Sequence, residues 1–174
     1  MNRTTRKPHA AIVCLILFAL ALIIAGCTAN SPSPLTNAQG TPLPPVPTLD
    51  ASQVSLGRQV YQANCATCHG ANAEGAPNWK TPDAKGNYPP PPHSDVGHTW
   101  HHSDRVLYEV IHDGFRNPLR ADAPMNMPAW GNKLSDAEIR AVITYFKSLW
   151  SREHRAFQWE VTVEDFSPTP TPLR

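Results

Sequence analysis

The sequence predicts an all-α domain of three to five helices joined by long loops. Three segments carry helix signals: residues 52–64, the residues after Ser103 and the residues after Ser135. Between the first two lie about forty residues rich in Pro, Gly, Asn and His. Connections of that length are uncommon in compact domains unless they are functional. Because residues 50–155 make only a small domain, we expect these loops to wrap a large apolar group.

The first two predicted helices have ordinary start, packing and stop signals. The first spans residues 52–64, with Val60 and Tyr61 as candidate packing residues. The second follows Ser103, a residue type favoured at helix N-caps, and ends at Gly114, a residue type favoured just after a helix. Its apolar residues recur at helical spacing at Val106, Leu107, Val110 and Ile111.

The third predicted helix has the strongest signals. Ser135 and Glu138 have the spacing of a capping box, in which each side chain accepts a hydrogen bond from the other residue's backbone N–H. Six apolar residues then recur along one helical face: Ile139, Val142, Ile143, Phe146, Leu149 and Trp150.

Residues 156–174 are predicted to form an extended C-terminal tail. Phe157, Trp159, Val161 and Val163 alternate with polar residues, a period typical of a strand-like segment. Three prolines follow among small polar residues, so the end of the tail is expected to be disordered.

The first 26 residues have the pattern of a lipoprotein signal peptide. Three basic residues precede an apolar run over residues 10–25, which is short for a bilayer span of about 20 residues. The run ends in Ile24-Ala25-Gly26-Cys27, which resembles a bacterial lipobox. We therefore expect export, cleavage before Cys27 and lipidation of Cys27. The alternative is an uncleaved signal anchor with an incidental cysteine.

A Pro-rich linker is predicted over residues 27–49, beginning at the lipidated Cys27. Six prolines stand among Ser, Thr and Asn in this stretch, which has little from which to build a core. The linker would hold the domain at 50–155 away from a membrane on the extracytoplasmic side.

The charge balance argues against a nucleic-acid partner. Without residues 1–26 the chain carries 12 Lys and Arg against 14 Asp and Glu, a net charge of −2. Such a chain lacks the basic surface typical of nucleic-acid binders. Attachment to a membrane is therefore expected to come from the lipid on Cys27 rather than from charge.

The segment Cys65-Ala66-Thr67-Cys68-His69 carries the predicted chemistry. Two thiols at this spacing can form thioether bonds to the vinyl groups of one haem, and the next residue can present an imidazole to the iron. A redox disulfide is less favoured because no thioredoxin-like βαβ pattern surrounds the pair. A zinc site is less favoured because no second cysteine pair follows. The sequence therefore predicts one covalent c-type haem on Cys65 and Cys68, with His69 as an iron ligand.

The second axial ligand is expected from the loop before the last predicted helix. Apart from Met1, the chain has only Met125 and Met127, both in this loop. We favour Met127, with Met125 or a loop histidine as alternatives. Methionine opposite histidine raises the reduction potential of a haem iron.

Taken together, these motifs resemble the class I cytochrome c family over about residues 50–150. The resemblance rests on Leu56-Gly57 through Tyr61, Cys65 through Gly70, Met127-Pro128-Ala129-Trp130, and Leu134 through Ile139 with Tyr145. It implies an all-α bundle around one covalent haem, with His69 as the proximal and Met127 as the distal ligand. It also implies that the first and last helices cross at Gly57 and Tyr145, and that the Pro77 carbonyl accepts a hydrogen bond from the His69 ring.

An insertion over residues 81–102 departs from the smallest members of that family. It contains four consecutive prolines followed by His93, His98, His101 and His102. We expect solvated histidines, some of them bonding haem propionates together with Trp100. The alternative is a second metal site, for example for copper. Trp79 and Trp130 are candidate walls of the haem pocket.

The function predicted from these features is one-electron transfer, with redox proteins as partners. If protein ligands fill both faces of the iron, it can change oxidation state without binding a substrate. Two alternatives stay open. The chain could be the cytochrome subunit of a larger membrane oxidoreductase, or a haem enzyme with an open iron position.

Overall fold

A computed structural model describes residues 35–115 and 127–166. Within them the chain forms five α-helices and one 3-10 helix, Thr99–His101. The α-helices are α1 (Ala51–Asn64), α2 (Ala66–His69), α3 (Asp104–Asp113), α4 (Asp136–Ser148) and α5 (Arg152–Asp165). The predicted all-α fold is confirmed, since β pairing in this part of the chain is limited to two isolated bridges. The signal peptide, Cys27, Met125 and residues 167–174 lie outside the described residues.

Local capping explains where the three predicted helices begin and end. Asp50 caps α1 by accepting hydrogen bonds from the backbone N–H groups of Ser52 and Gln53, at 2.7 and 3.1 Å. Ser103 caps α3, which ends at Gly114 with a φ of +78°. The predicted capping box at the start of α4 is confirmed.

The core lies where α1 crosses α4. A Cβ atom on Gly57 would overlap the Ala141 backbone carbonyl and would lie 2.9 Å from the Tyr145 Cβ. The two helices therefore approach closely enough that only glycine fits at this point. This confirms the crossing expected at Gly57 and Tyr145. Buried apolar side chains surround it, among them Val60, Tyr61, Ile139, Val142 and Phe146.

The C-terminal segment is helical, which corrects the prediction of an extended tail. Residues 156–165 belong to α5, which therefore runs across residue 155, the expected end of the domain. The buried face of this helix is polar at Gln158 and Thr162. The Gln158 amide donates to the Asp104 carboxylate at 2.7 Å and lies 2.9 Å from the Thr162 hydroxyl. Side-chain hydrogen bonds thus help to attach α5 to α3.

The Pro-rich segment before α1 also contacts α5. The Trp159 indole N–H donates to the Pro44 carbonyl at 2.8 Å. In the part of the chain that the structure covers, no helix combines the length and apolar character needed to cross a membrane.

Candidate haem-binding site

The two cysteines and the histidine of the predicted motif lie at the junction of α1 and α2. Cys65 follows α1 directly and is buried, whereas Cys68, within α2, is exposed; both thiols are free. His69 is the last residue of α2, where Gly70, with a φ of +83°, ends the helix. All three side chains line one cavity.

The His69 ring is held by a backbone carbonyl. Its Nδ1 lies 2.9 Å from the Pro91 carbonyl oxygen, so Nδ1 carries the proton and Nε2 keeps a lone pair. Burial lowers the pKa of His69, against the opposing effect of the Pro91 bond. A neutral imidazole with Nε2 free is the form that binds a metal ion.

The acceptor is Pro91 and not Pro77, so that part of the expectation was wrong. Two backbone hydrogen bonds pair the segment after α2 with the proline run: Ala76 N–H to the Pro90 carbonyl and His93 N–H to the Ala73 carbonyl, each 2.9 Å. Between them the Pro91 carbonyl is free to accept from His69. The signal in the sequence was the proline run itself, which offers carbonyls but no N–H donors.

The cavity has a volume of about 770 Å³. This lies within the range of roughly 300–1,000 Å³ typical of small-molecule and cofactor sites. Apolar side chains dominate its walls, including Val106 and Val110 of α3 together with Trp79 and Trp130. The expectation that both tryptophans would line the pocket is therefore consistent with the structure. A large, mostly apolar group fits this space.

Met127 lines the same cavity and is only partly buried. Its backbone pairs with Phe115 through two hydrogen bonds, of 2.9 and 3.2 Å, which place it beside the end of α3. Pro128 follows and also lines the cavity. The other candidate, Met125, lies outside the described residues.

The loop histidines separate into two groups. His93, His98 and His102 line the cavity, whereas His101 does not. Trp100 also points elsewhere: its indole N–H donates to the Asp95 carbonyl at 3.4 Å, so the expected role beside the propionates is not supported.

Nothing supports the second metal site considered as an alternative. Within residues 35–115 and 127–166 no group of three or more His, Cys, Asp or Glu side chains could hold a metal ion.

The surroundings of Cys65 favour its protonated thiol. Burial, followed by the proximity of Cys68, raises the pKa of Cys65 to about 11. The thiolate is the form that reacts with oxidants and disulfides. The buried, protonated thiol of Cys65 should therefore react slowly with both.

The fold and the site together define a small all-α domain with a large, mostly apolar cavity beside two thiols and an imidazole. Residues 54–150 match the family model described as cytochrome c, and the chain belongs to this family. With Cys65 and Cys68 at the haem-attachment spacing, its cofactor is one c-type haem, as predicted.

Individual relatives are subunits of larger assemblies. The chain is 34% identical over 100 residues to a Cbb3-type cytochrome c oxidase subunit CcoP from Azospirillum sp., covering 58% of this chain and 30% of that protein. It is 35% identical over 80 residues to a cytochrome bc1 complex cytochrome c subunit from Mycobacterium bovis, covering 44% of this chain and 26% of that protein. The matched segment thus spans less than a third of the length of either relative.

Proposed function

We propose that this protein is a one-electron carrier whose single haem is bound covalently by Cys65 and Cys68, with His69 and Met127 as axial ligands. The observation that carries the proposal is that these four side chains line one apolar cavity of about 770 Å³. The hydrogen bond from His69 Nδ1 to the Pro91 carbonyl supports the same arrangement, because it leaves Nε2 for the iron.

The residues around the cavity each have a defined task in this proposal. The haem supplies a ferric–ferrous couple when bound. The Pro91 carbonyl fixes the tautomer of His69. The Met127 thioether would bind the iron where a substrate would otherwise have to bind. Val106 and Val110 exclude water, which lowers the reorganisation that accompanies a change of charge.

Export and lipid anchoring at Cys27 place the carrier at the extracytoplasmic side of a membrane. The proposal rests on the sequence pattern of residues 1–27. The relatives named above, which belong by name to an oxidase and to a bc1 complex, support redox proteins as the partners of the carrier. Redox proteins that dock near the exposed Cys68 would be the partners, through a small transient interface.

A second candidate is a permanent subunit of a larger membrane oxidoreductase. It is favoured by the names of the relatives, each of which is a subunit. Purification of the tagged full chain in mild detergent separates the two. A stoichiometric complex that survives high salt supports the subunit, whereas an isolated cytochrome that reduces added acceptors supports the free carrier.

The test of the haem is a pyridine haemochrome spectrum of the membrane-extracted protein. One thioether-linked haem per chain is expected, and Cys65→Ala with Cys68→Ala should abolish covalent attachment. A spectrum without thioether-linked haem in the unaltered protein would overturn the proposal.

The test of the axial pair uses two methionine variants. Met127→Ala should abolish the weak far-red absorption band of sulfur-ligated ferric haem and lower the reduction potential, whereas Met125→Ala, the matched control, should leave both unchanged. The reverse pattern would assign the ligand to Met125. Carbon monoxide binding readily to the reduced, unaltered protein would instead support an enzyme with an open iron position.

A further inference from the structure

We propose that His93 is a positioning residue for His69: its ring packs closely against the imidazole of His69 and restrains the rotation of that imidazole about its Cβ–Cγ bond. The inference rests on the proposed role of His69 as an iron ligand. It concerns a side chain that the haem-attachment motif does not include.

The backbone of His93 is fixed on both sides. Its N–H donates to the Ala73 carbonyl at 2.9 Å. Its carbonyl accepts a hydrogen bond of 2.8 Å from the indole N–H of Trp150, which directly follows the C-cap of α4. Because both bonds join His93 to separate parts of the fold, the residue cannot shift without breaking one of them.

The plane of the His93 ring is fixed as well. The ring centroid lies 4.1 Å from that of Phe146, with an angle of 21° between the planes. The His69 ring lies 4.3 Å away at 31°. The His93 ring is therefore stacked on Phe146 and packs at a tilt against His69. The ring of Tyr61 lies nearly perpendicular to it, with 6.4 Å between the centroids and 86° between the planes.

A hydrogen bond fixes the remaining rotation of the His93 ring. Its Nδ1 lies 2.9 Å from the Thr99 hydroxyl oxygen, and both residues are buried. A phenylalanine could fill the same space and keep the stack. It could not form the bond to Thr99, so only histidine defines both the position and the plane of the ring.

The segment from Pro91 to His93 therefore acts on the axial ligand twice. The Pro91 carbonyl holds His69 Nδ1, and two residues later the His93 ring restrains the plane of the same imidazole. Groups that orient a metal-bound histidine alter both the geometry and the electronic properties of the metal. The electronic structure of the haem iron should consequently depend on His93.

The test compares the full-length haem-loaded protein with three variants. Electron paramagnetic resonance g values and haem methyl shifts of the ferric protein report the orientation of the axial imidazole, and the midpoint potential reports its effect on the iron. His93→Leu should shift the g values, reorder the methyl shifts and move the potential. Thr99→Val should produce smaller changes in the same direction, since the stack stays. His93→Phe, which keeps the stack but loses the same bond to Thr99, should produce changes as small as those of Thr99→Val.

His101→Phe is the matched control, because His101 is exposed and does not line the cavity. It should leave every spectrum unchanged. If His93→Leu does not fold, Thr99→Val and His93→Phe carry the comparison. Variants that lose thermal stability while keeping the g values, methyl shifts and potential would overturn the proposal and make His93 a packing residue only.

The haemochrome spectrum of the unaltered protein is recorded first, so that failure of the proposed function is recognised separately. Without a thioether-linked haem the proposed function fails, and His93 loses its role with it. With the haem present, the variants test His93 alone.

Discussion

The helix crossing of α1 with α4 and the loop wall, residues 70–103, are held together in different ways. At the crossing, Gly57 faces the Ala141 carbonyl with no room for a Cβ, so the two helices are in direct backbone contact. The loop wall has one short 3-10 helix. Single hydrogen bonds hold it, such as Gly75 N–H to the His69 carbonyl at 2.8 Å. Substitutions that add side-chain volume should therefore destabilise the crossing most. Substitutions that remove a hydrogen-bond partner should destabilise the loop wall most.

The largest effect is expected from Gly57→Ala. The new Cβ would collide with the Ala141 carbonyl, and overpacking of this kind costs about 3 kcal/mol. Urea unfolding of the haem-loaded protein measures the change. Ser55→Ala, on the exposed side of the same helix, is the control and should cost nothing measurable. Equal stability of the two variants would contradict the close crossing.

The next effect is expected where the two regions meet. Trp150→Phe leaves the buried His93 carbonyl without its donor and opens a small cavity, so about 2 kcal/mol should be lost. In Trp159→Phe, the matched control, the lost bond to the Pro44 carbonyl is exposed, and the loss should be below about 1 kcal/mol. If both variants lose the same free energy of unfolding, the loop wall does not depend on its link to α4.

A smaller effect is expected at the start of α4. Ser135→Ala removes the acceptor for the Glu138 N–H and should cost about 1 kcal/mol in urea unfolding. Glu138→Gln preserves the reciprocal bond of the capping box and should cost less. A larger loss in Glu138→Gln would show that charge, rather than capping, stabilises this end of the helix.

The smallest expected effect is on the pH dependence of the free energy of unfolding. The loop wall and the start of α4 should lose stability in different pH ranges. Burial, with help from neighbouring histidines, lowers the pKa values of His98 and His102 in the loop wall. The unfolded chain therefore binds protons that the folded chain does not, and stability should fall as pH drops through about 6.5. Hydrogen bonds from Ser135 lower the pKa of Glu138, so its contribution is present above a pH of about 4 and is lost only as pH falls further.

Urea unfolding at a series of pH values measures both declines in stability, the one near pH 6.5 and the one below pH 4. The double variant His98→Gln with His102→Gln should make the decline near pH 6.5 shallower and should leave the decline below pH 4 intact. The rest of the decline near pH 6.5 is due to the buried His69 and His93. An unchanged slope near pH 6.5 would show that neither His98 nor His102 contributes to it.

The parts of the fold that the sequence predicted are those with local causes. Ser103, Gly114 and the Ser135–Glu138 box act within one turn of their helices, and their effect can be seen in a short window of sequence. Helix α5 was missed for the opposite reason. Its buried face includes Gln158 and Thr162, which satisfy each other and Asp104, and hydrophobic periodicity does not detect a polar contact face.

In the candidate site too, the local motif could be predicted from the sequence, whereas contacts between distant residues could not. The spacing of Cys65, Cys68 and His69 is fixed by the chemistry of the group they bind. The acceptor for His69 was not predictable, because the choice between Pro77 and Pro91 depends on backbone pairing between residues far apart in sequence. The packing of His93 against His69 was missed for the same reason, and Met127 as the distal ligand stays a prediction.

Helix α5 also determines where this protein can be truncated without loss of stabilising contacts. The family match ends at residue 150, before α5 begins. A fragment trimmed to that match would lose Gln158, which donates to the Asp104 carboxylate. It would also lose the backbone N–H of Ser151, which lies 2.8 and 3.0 Å from the two carboxylate oxygens of Asp95 in the loop wall. The cooperative folding unit is therefore longer than the family boundary, and a fusion partner or tag joined at residue 150 would be joined inside it.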